Sequence, residues 1–260
     1  MIPRTTAPPP WRRPLRWAGL LAIGVVGGAL LASLALRHYY GRLCLERIRG
    51  EVEAAVHVEV PSGSQGPVLL LLGDSRIAQW GAPRFPGWRV ANGGVPWLTT
   101  LQLERLSADP IREVRPAAVF IQAGINDLKV LGVRSDLRET ILTGCVEHLE
   151  GVVEEARRLG ARVWVSTVWP TGPVPWERRL FWGAAVEQGV EELNRRLRER
   201  FAGREGVVVI DPFAPVGGAS PLPALVPRFR DTLHLSPETY EELTTRISGL
   251  LGSPGTNKPE

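Results

Sequence analysis

The sequence predicts an α/β protein, a parallel sheet with helices on both faces, preceded by one membrane-spanning helix. Two observations carry that expectation. From Pro67 onward, apolar runs of strand length alternate with amphipathic segments of helix length, as in sheets whose parallel strands are joined by helical crossovers. Ahead of them, Trp17 to Leu36 contains no charged residue. A helix of twenty residues rises about 30 Å, the thickness of a bilayer hydrocarbon core.

Taken in order, residues 1–16 form a basic segment with four Arg and no acid. Residues 17–36 read as the membrane span, and the arginines before it favour a cytoplasmic N-terminus with the following domain exported. Ser33-Leu34-Ala35 satisfies a small-x-small cleavage pattern, but the apolar run exceeds the core of about 7–15 residues usual in a signal peptide, so an uncleaved anchor is expected. Cys44 follows Arg42-Leu43 beyond the apolar run, without the small residues of a lipoprotein site. Residues 37–66 read as a membrane-proximal helix, with helix formers from His38 to Val58, and then a turn-rich link ending in Pro61-Ser62-Gly63-Ser64-Gln65-Gly66.

The folded domain spans 67–251. Val68 to Leu72, Arg89 to Ala91, Ala117 to Gln122, Arg162 to Thr167 and Val207 to Ile210 read as strands. Helices are expected near Thr100 to Ala108, Leu137 to Leu159, Glu177 to Phe201 and Pro237 to Leu250, and residues 252–260 form a polar tail.

Composition excludes several classes. The net charge of +4 is concentrated at the N-terminus: residues 1–49 hold eight Arg and one acid, leaving 23 basic against 26 acidic side chains elsewhere. A phosphate-tracking surface on the main domain, and hence a nucleic-acid partner, is not expected. Only Lys129 and Lys258 are lysines, an Arg bias typical of a GC-rich bacterial genome. Cys44 and Cys145 lie a hundred residues apart with no CxxC pair and no His in ligand spacing, so neither a metal site nor a disulfide framework is indicated.

In an open parallel sheet, reactive groups gather in loops at the carboxyl ends of strands. Those loops here hold Gly73-Asp74-Ser75-Arg76, Asn92-Gly93-Gly94-Val95-Pro96, Gly124-Ile125-Asn126-Asp127 and, after the last strand, Asp231-Thr232-Leu233-His234. Together they supply a hydroxyl on a tight turn, an imidazole to take its proton and a carboxylate three residues from that imidazole. A glycine amide and a side-chain amide can donate to an oxyanion. These are the parts of acyl-transfer catalysis.

On these four blocks, in this order, residues 67 to about 250 resemble the SGNH hydrolases, often called GDSL esterases and lipases. The resemblance implies a flavodoxin-like, three-layer α/β/α sandwich with a five-stranded parallel sheet and no metal or organic cofactor. It also implies Ser75 as nucleophile, His234 as general base and Asp231 as its orienting partner. The oxyanion hole would comprise the Ser75 and Gly94 N–H groups and the Asn126 side chain. Arg76 replaces the leucine of the family label and is expected to line the cleft or meet an acidic substrate group, and Trp97 stands where many relatives carry a further glycine, which would narrow the cleft there.

Asp74 and Asp127 are expected to hold loops, as Asp does in turns. Trp97, Trp169 and Trp176 lie on the active-site side. They read either as an aromatic rim for an acyl chain or sugar, or as Trp packed on Pro to stiffen a long loop.

The expected protein is a single-pass esterase of the bacterial cytoplasmic membrane with its domain outside, cleaving carboxylic esters of lipid or acylated carbohydrate through an acyl-enzyme on Ser75. The same residues would serve an O-acyltransferase acting on envelope or exported polysaccharide. A non-catalytic module binding a glycan or lipid would need no intact triad.

Overall fold

The computed structural model describes residues 12–60, 66–214 and 228–251, with side chains from Ala18 onward. The basic segment before Arg12, most of the Pro61–Gly66 link and the tail beyond Leu251 lie outside the described residues. The elements are α1 (Arg12–Ile48), β1 (Val68–Gly73), α2 (Ser75–Trp80), β2 (Arg89–Gly94), α3 (Thr100–Val114), β3 (Ala118–Gln122), α4 (Ile125–Leu128), α5 (Arg138–Arg158), β4 (Arg162–Ser166), α6 (Ala184–Phe201), β5 (Val207–Ile210) and α7 (Pro237–Leu251).

The five strands are all parallel, in the order β2-β1-β3-β4-β5. The two-residue strand period divides β1 between two cores. Leu70 and Leu72 pack with α3, α5 and α6, whereas Leu69 and Leu71 pack with Ile77 and Trp80 of α2 and with Tyr240, Leu243 and Ile247 of α7. The fold is therefore the expected three-layer sandwich. The chain reverses its direction of progress between β1 and β3, and a crevice at the carboxyl ends of these strands is where such sheets bind ligands.

Helix α1 runs unbroken through the apolar stretch into the membrane-proximal segment. Its apolar side chains from Leu20 to Leu36 are exposed, among them Leu21 at 72% and Leu31 at 69%. From Arg37 on, the helix instead packs on the domain. The Arg37 guanidinium donates to the carbonyls of Leu180 and Gly132, the Tyr40 and Phe181 rings lie 4.9 Å apart between centroids, and Cys44 is buried.

The helix ends at Ile48, ten residues short of the Val58 expected. Gly50, at φ +71°, turns the chain into the left-handed region. Residues 51–60 then alternate exposed and half-buried positions, placing Ala54, Val56, Val58 and Val60 against the core of the α3 and α5 face. That segment, EVEAAVHVEV, holds β-branched residues at a spacing of two, and this periodicity prevails over the helix formers between them. The expected helix Glu177 to Phe201 divides likewise: Trp176–Leu180 is a 3₁₀ turn, and α6 begins at Ala184.

Candidate active site

The site starts at the tight passage from β1 to α2. Gly73 allows it, because a Cβ there would stand 2.0 Å from the Gln122 carbonyl oxygen. The Asp74 side chain caps α2 by accepting the Arg76 N–H at 2.9 Å. Ser75 is thus the first helical residue, and its N–H has no intrahelical acceptor.

Its hydroxyl Oγ lies 3.1 Å from His234 Nε2, across 159 residues of chain. His234 Nδ1 lies 2.8 Å from Asp231 Oδ2. The other oxygen, Asp231 Oδ1, accepts the backbone N–H groups of Leu233 at 2.8 Å and His234 at 2.9 Å, closing the three-residue turn. Burial raises the Asp231 carboxyl, but the hydrogen bonds from the His234 ring and these two amides outweigh it and hold the group at about 2. A carboxylate at Nδ1 holds the ring proton on that nitrogen and turns the Nε2 lone pair toward the serine hydroxyl.

Asn126, the second residue of α4 after β3, donates from Nδ2 to the Leu98 carbonyl at 3.0 Å, which orients the amide; among the described residues its second N–H has no acceptor. The neighbouring Asp127 is buried. Both of its oxygens accept the Thr100 N–H, at 3.2 and 3.1 Å, and Oδ1 accepts the Thr100 hydroxyl at 2.8 Å, tying α4 to the start of α3. Burial pushes this carboxyl up to about 7 against those hydrogen bonds.

Gly94 differs from expectation. Its N–H donates to Asn92 Oδ1 at 2.8 Å, so that donor is already spent. Asn92 Nδ2 in turn donates to the Ile77 carbonyl at 2.8 Å and to that of Gly81, stapling β2 to α2. Glycine is required at 94 by packing, since a Cβ would stand 2.2 Å from the Ala78 nitrogen.

Two residues expected to bind substrate are inside the protein. Arg76 is fully buried, and its guanidinium donates to the carbonyls of Leu233 (2.9 Å), Trp169 (2.7 Å) and Pro170 (3.0 Å). It is tied to the loop of His234 through the Leu233 carbonyl and lines no cleft, because its fixed fork of donors suits three converging carbonyls. Trp169 is also fully buried. Its Nε1 donates to Ser166 Oγ at 2.9 Å, and its ring packs on Trp80, Phe213 and Tyr240.

Trp97 and Trp176 remain at the surface, 52% and 81% exposed. Trp97 holds φ +66°, a conformation that costs a non-glycine residue about 1–3 kcal/mol and that the surrounding structure must sustain. Sequence reasoning passed over its neighbour Lys129, a buried lysine whose ammonium lies 4.0 Å from the Trp97 ring centroid. The signal was available in a chain with only two lysines, one of them three residues after Asn126. Among the described residues, no three His, Cys, Asp or Glu side chains are grouped to hold a metal ion.

A hydroxyl, an imidazole and a carboxylate in series, at the switch point of a parallel α/β/α sandwich, define the class as serine hydrolases. The chain belongs to the GDSL-like lipase/acylhydrolase family, which it matches over residues 71–242, and it is an ester-cleaving enzyme. Among solved structures it is similar to a GDSL-like lipase from Bacteroides thetaiotaomicron, at 18% identity and TM-score 0.53, over 71% of this chain and 87% of that one. It is also similar to a catalytic mutant of an acetylxylan esterase from Geobacillus stearothermophilus, at 19% identity and TM-score 0.52, over 76% of this chain and 100% of that one. At these identities the likeness concerns the fold. No curated protein matches the chain.

Proposed function

We propose that the protein is a membrane-anchored esterase that works through an acyl-enzyme on Ser75. The observation that carries this reading is the unbroken hydrogen-bonded series Ser75 Oγ, His234, Asp231. His234 Nε2 takes the hydroxyl proton as Oγ attacks the ester carbonyl, and the imidazolium so formed is stabilised by Asp231. The Ser75 N–H and the free N–H of Asn126 receive the oxyanion. His234 then returns its proton to the leaving alkoxide, and a water activated by the same imidazole releases the acid. Gly94 acts here by seating α2, its N–H being committed to Asn92.

The test is a series of 4-nitrophenyl esters from acetyl to palmitoyl, hydrolysed by the full chain in neutral detergent. Turnover on at least one member, stopped by a fluorophosphonate that modifies Ser75, is the expected result. A folded protein that turns over none of them and resists the probe would overturn the esterase reading. Acyl transfer seen only with a sugar acceptor would replace hydrolysis by transfer.

The anchor rests on a different observation. The α1 stretch from Ala18 onward is long and apolar enough to cross a membrane, and none of the described residues covers it. An exposed apolar cylinder of that length calls for lipid. Because the helix runs unbroken to its contacts at Arg37 and Tyr40, the domain would sit directly against the membrane face, outside the cytoplasm if the arginine-rich end stays inside. The full chain is expected to stay in the membrane pellet after an alkaline carbonate wash. Release into the supernatant would refute the span.

A further inference from the structure

Lys129 begins the turn after α4, and the residue is 3% exposed. Buried ammonium groups are ordinarily paired, because an isolated charge removed from water is costly. Among the described residues, no carboxylate or carbonyl accepts a hydrogen bond from Lys129, and its direct partner is the face of the Trp97 ring. Burial pulls its pKa down to about 8, so the group is still mainly cationic at neutral pH.

The ammonium borders two cavities between α1 and the carboxyl edge of the sheet. One, of about 150 Å³, is walled by Tyr40, Leu43, Cys44 and Trp97 and reaches Asn126; burial pushes the Cys44 thiol up, which keeps it neutral beside the ammonium. The other, of about 270 Å³, is walled by Tyr40, Trp97, Phe181 and Trp182 and reaches Leu233, the neighbour of His234. The cavities therefore adjoin each other, with Lys129, Trp97 and Tyr40 common to them, and each reaches a residue of the loops that carry the ester site. Arg47 lines the first and Arg178 the second, and among the described residues no Asp or Glu lines either. Trp182 adds a buried indole N–H without an acceptor among the described residues. Aromatic walls and three cations, with no Asp or Glu in the lining, match an apolar molecule that carries one negative group; the carboxyls of Asp74 and Asp127, both buried, act on Lys129 without lining either cavity.

We propose that Lys129 forms an anion subsite, and that the enzyme takes esters in which a phosphate or carboxylate adjoins a short apolar chain. The proposal rests on the esterase reading for its use, and on the cavity alone for its geometry. Helix α1 then does more than anchor the domain, since Tyr40, Leu43 and Arg47 make it one wall of the substrate site.

The experiment uses calorimetric titration of the full chain in dodecyl maltoside. Three probes separate the contributions: hexyl phosphate, hexyl glucoside with the same chain and an uncharged head, and inorganic phosphate with no chain. Hexyl phosphate is expected to bind about tenfold or more tightly than either of the others, the scale of one charge-assisted hydrogen bond. Lys129→Met should remove that margin and Lys129→Arg should restore most of it.

On substrates, the ratio of kcat/KM for the 4-nitrophenyl monoester of glutaric acid to that for 4-nitrophenyl valerate should fall in Lys129→Met and return in Lys129→Arg. Equal binding of hexyl phosphate and hexyl glucoside to the unaltered protein overturns the proposal without any variant, even if Lys129→Met fails to fold. Inorganic phosphate binding as well as hexyl phosphate overturns the amphiphilic ligand in favour of a free-phosphate site. Undiminished binding to Lys129→Met reduces Lys129 to a support for Trp97. Since binding is read without turnover, an inert Ser75→Ala protein that still prefers hexyl phosphate keeps the subsite, and the esterase reading is judged separately.

Discussion

Ser75→Ala is expected to lower kcat/KM on the best ester of the chromogenic series by about 10⁴-fold or more, while the unfolding temperature moves by only a few degrees. Among the described residues the hydroxyl makes a single hydrogen bond, to His234 Nε2, so its removal leaves no buried group without a partner and no cavity larger than one oxygen. What is lost is the atom that forms the acyl-enzyme. His234 stays in place, because Asp231 and the turn it closes hold the imidazole independently of the serine. Some hydrolysis above that in water should persist, since positioned donors act on any nucleophile that reaches the carbonyl. Fluorophosphonate labelling, read by intact-protein mass, should disappear together with turnover. Turnover within tenfold of the unaltered enzyme, with labelling at another residue, would remove Ser75 from the mechanism.

Arg76→Met should produce the opposite pattern, a large loss of stability from a residue that touches no substrate. The guanidinium satisfies three carbonyls, those of Leu233, Trp169 and Pro170, and opposes the burial that pushes the Asp74 carboxyl up. Removing one member of such a buried charged cluster costs about 3–5 kcal/mol. In a chain of this size, each kcal/mol corresponds to about 2–4 °C, so unfolding should begin roughly 6–20 °C earlier. Arg76→Lys should recover only part of this, because an ammonium is a point donor and cannot span three carbonyls as a planar fork does. Differential scanning fluorimetry reads the stability, and KM on an anionic ester reads any part in binding. An unchanged unfolding temperature with a raised KM would return Arg76 to the cleft.

The four chemistry-bearing blocks are legible in the sequence because each depends on local pattern. Strand period and glycine placement set where β1 and β3 end, and the residues that follow are necessarily at the carboxyl edge of the sheet. The spacing of Asp231 and His234 likewise fits a single turn. Residues 51–60 also carry their signal locally, since alternation of Val52, Ala54, Val56, Val58 and Val60 is a two-residue period. Arg76 and Trp169 carry none. A charged residue beside a nucleophile looks like a cleft residue unless its acceptors are known, and those carbonyls lie 93, 94 and 157 positions away.

By itself the sequence determined the layered architecture, the apolar N-terminal helix and the identities of the hydroxyl, imidazole and carboxylate that hydrogen-bond in series. Periodicity and turn chemistry act over a few residues, and a linear chain displays them directly. Tertiary structure alone decided which donors were still free, which long side chains went inward, and that Lys129 lies against the Trp97 ring beside cavities partly walled by α1. Those outcomes depend on which distant backbone carbonyls and rings converge around a buried group, and burial without a partner is too costly to be settled anywhere but in the packed interior.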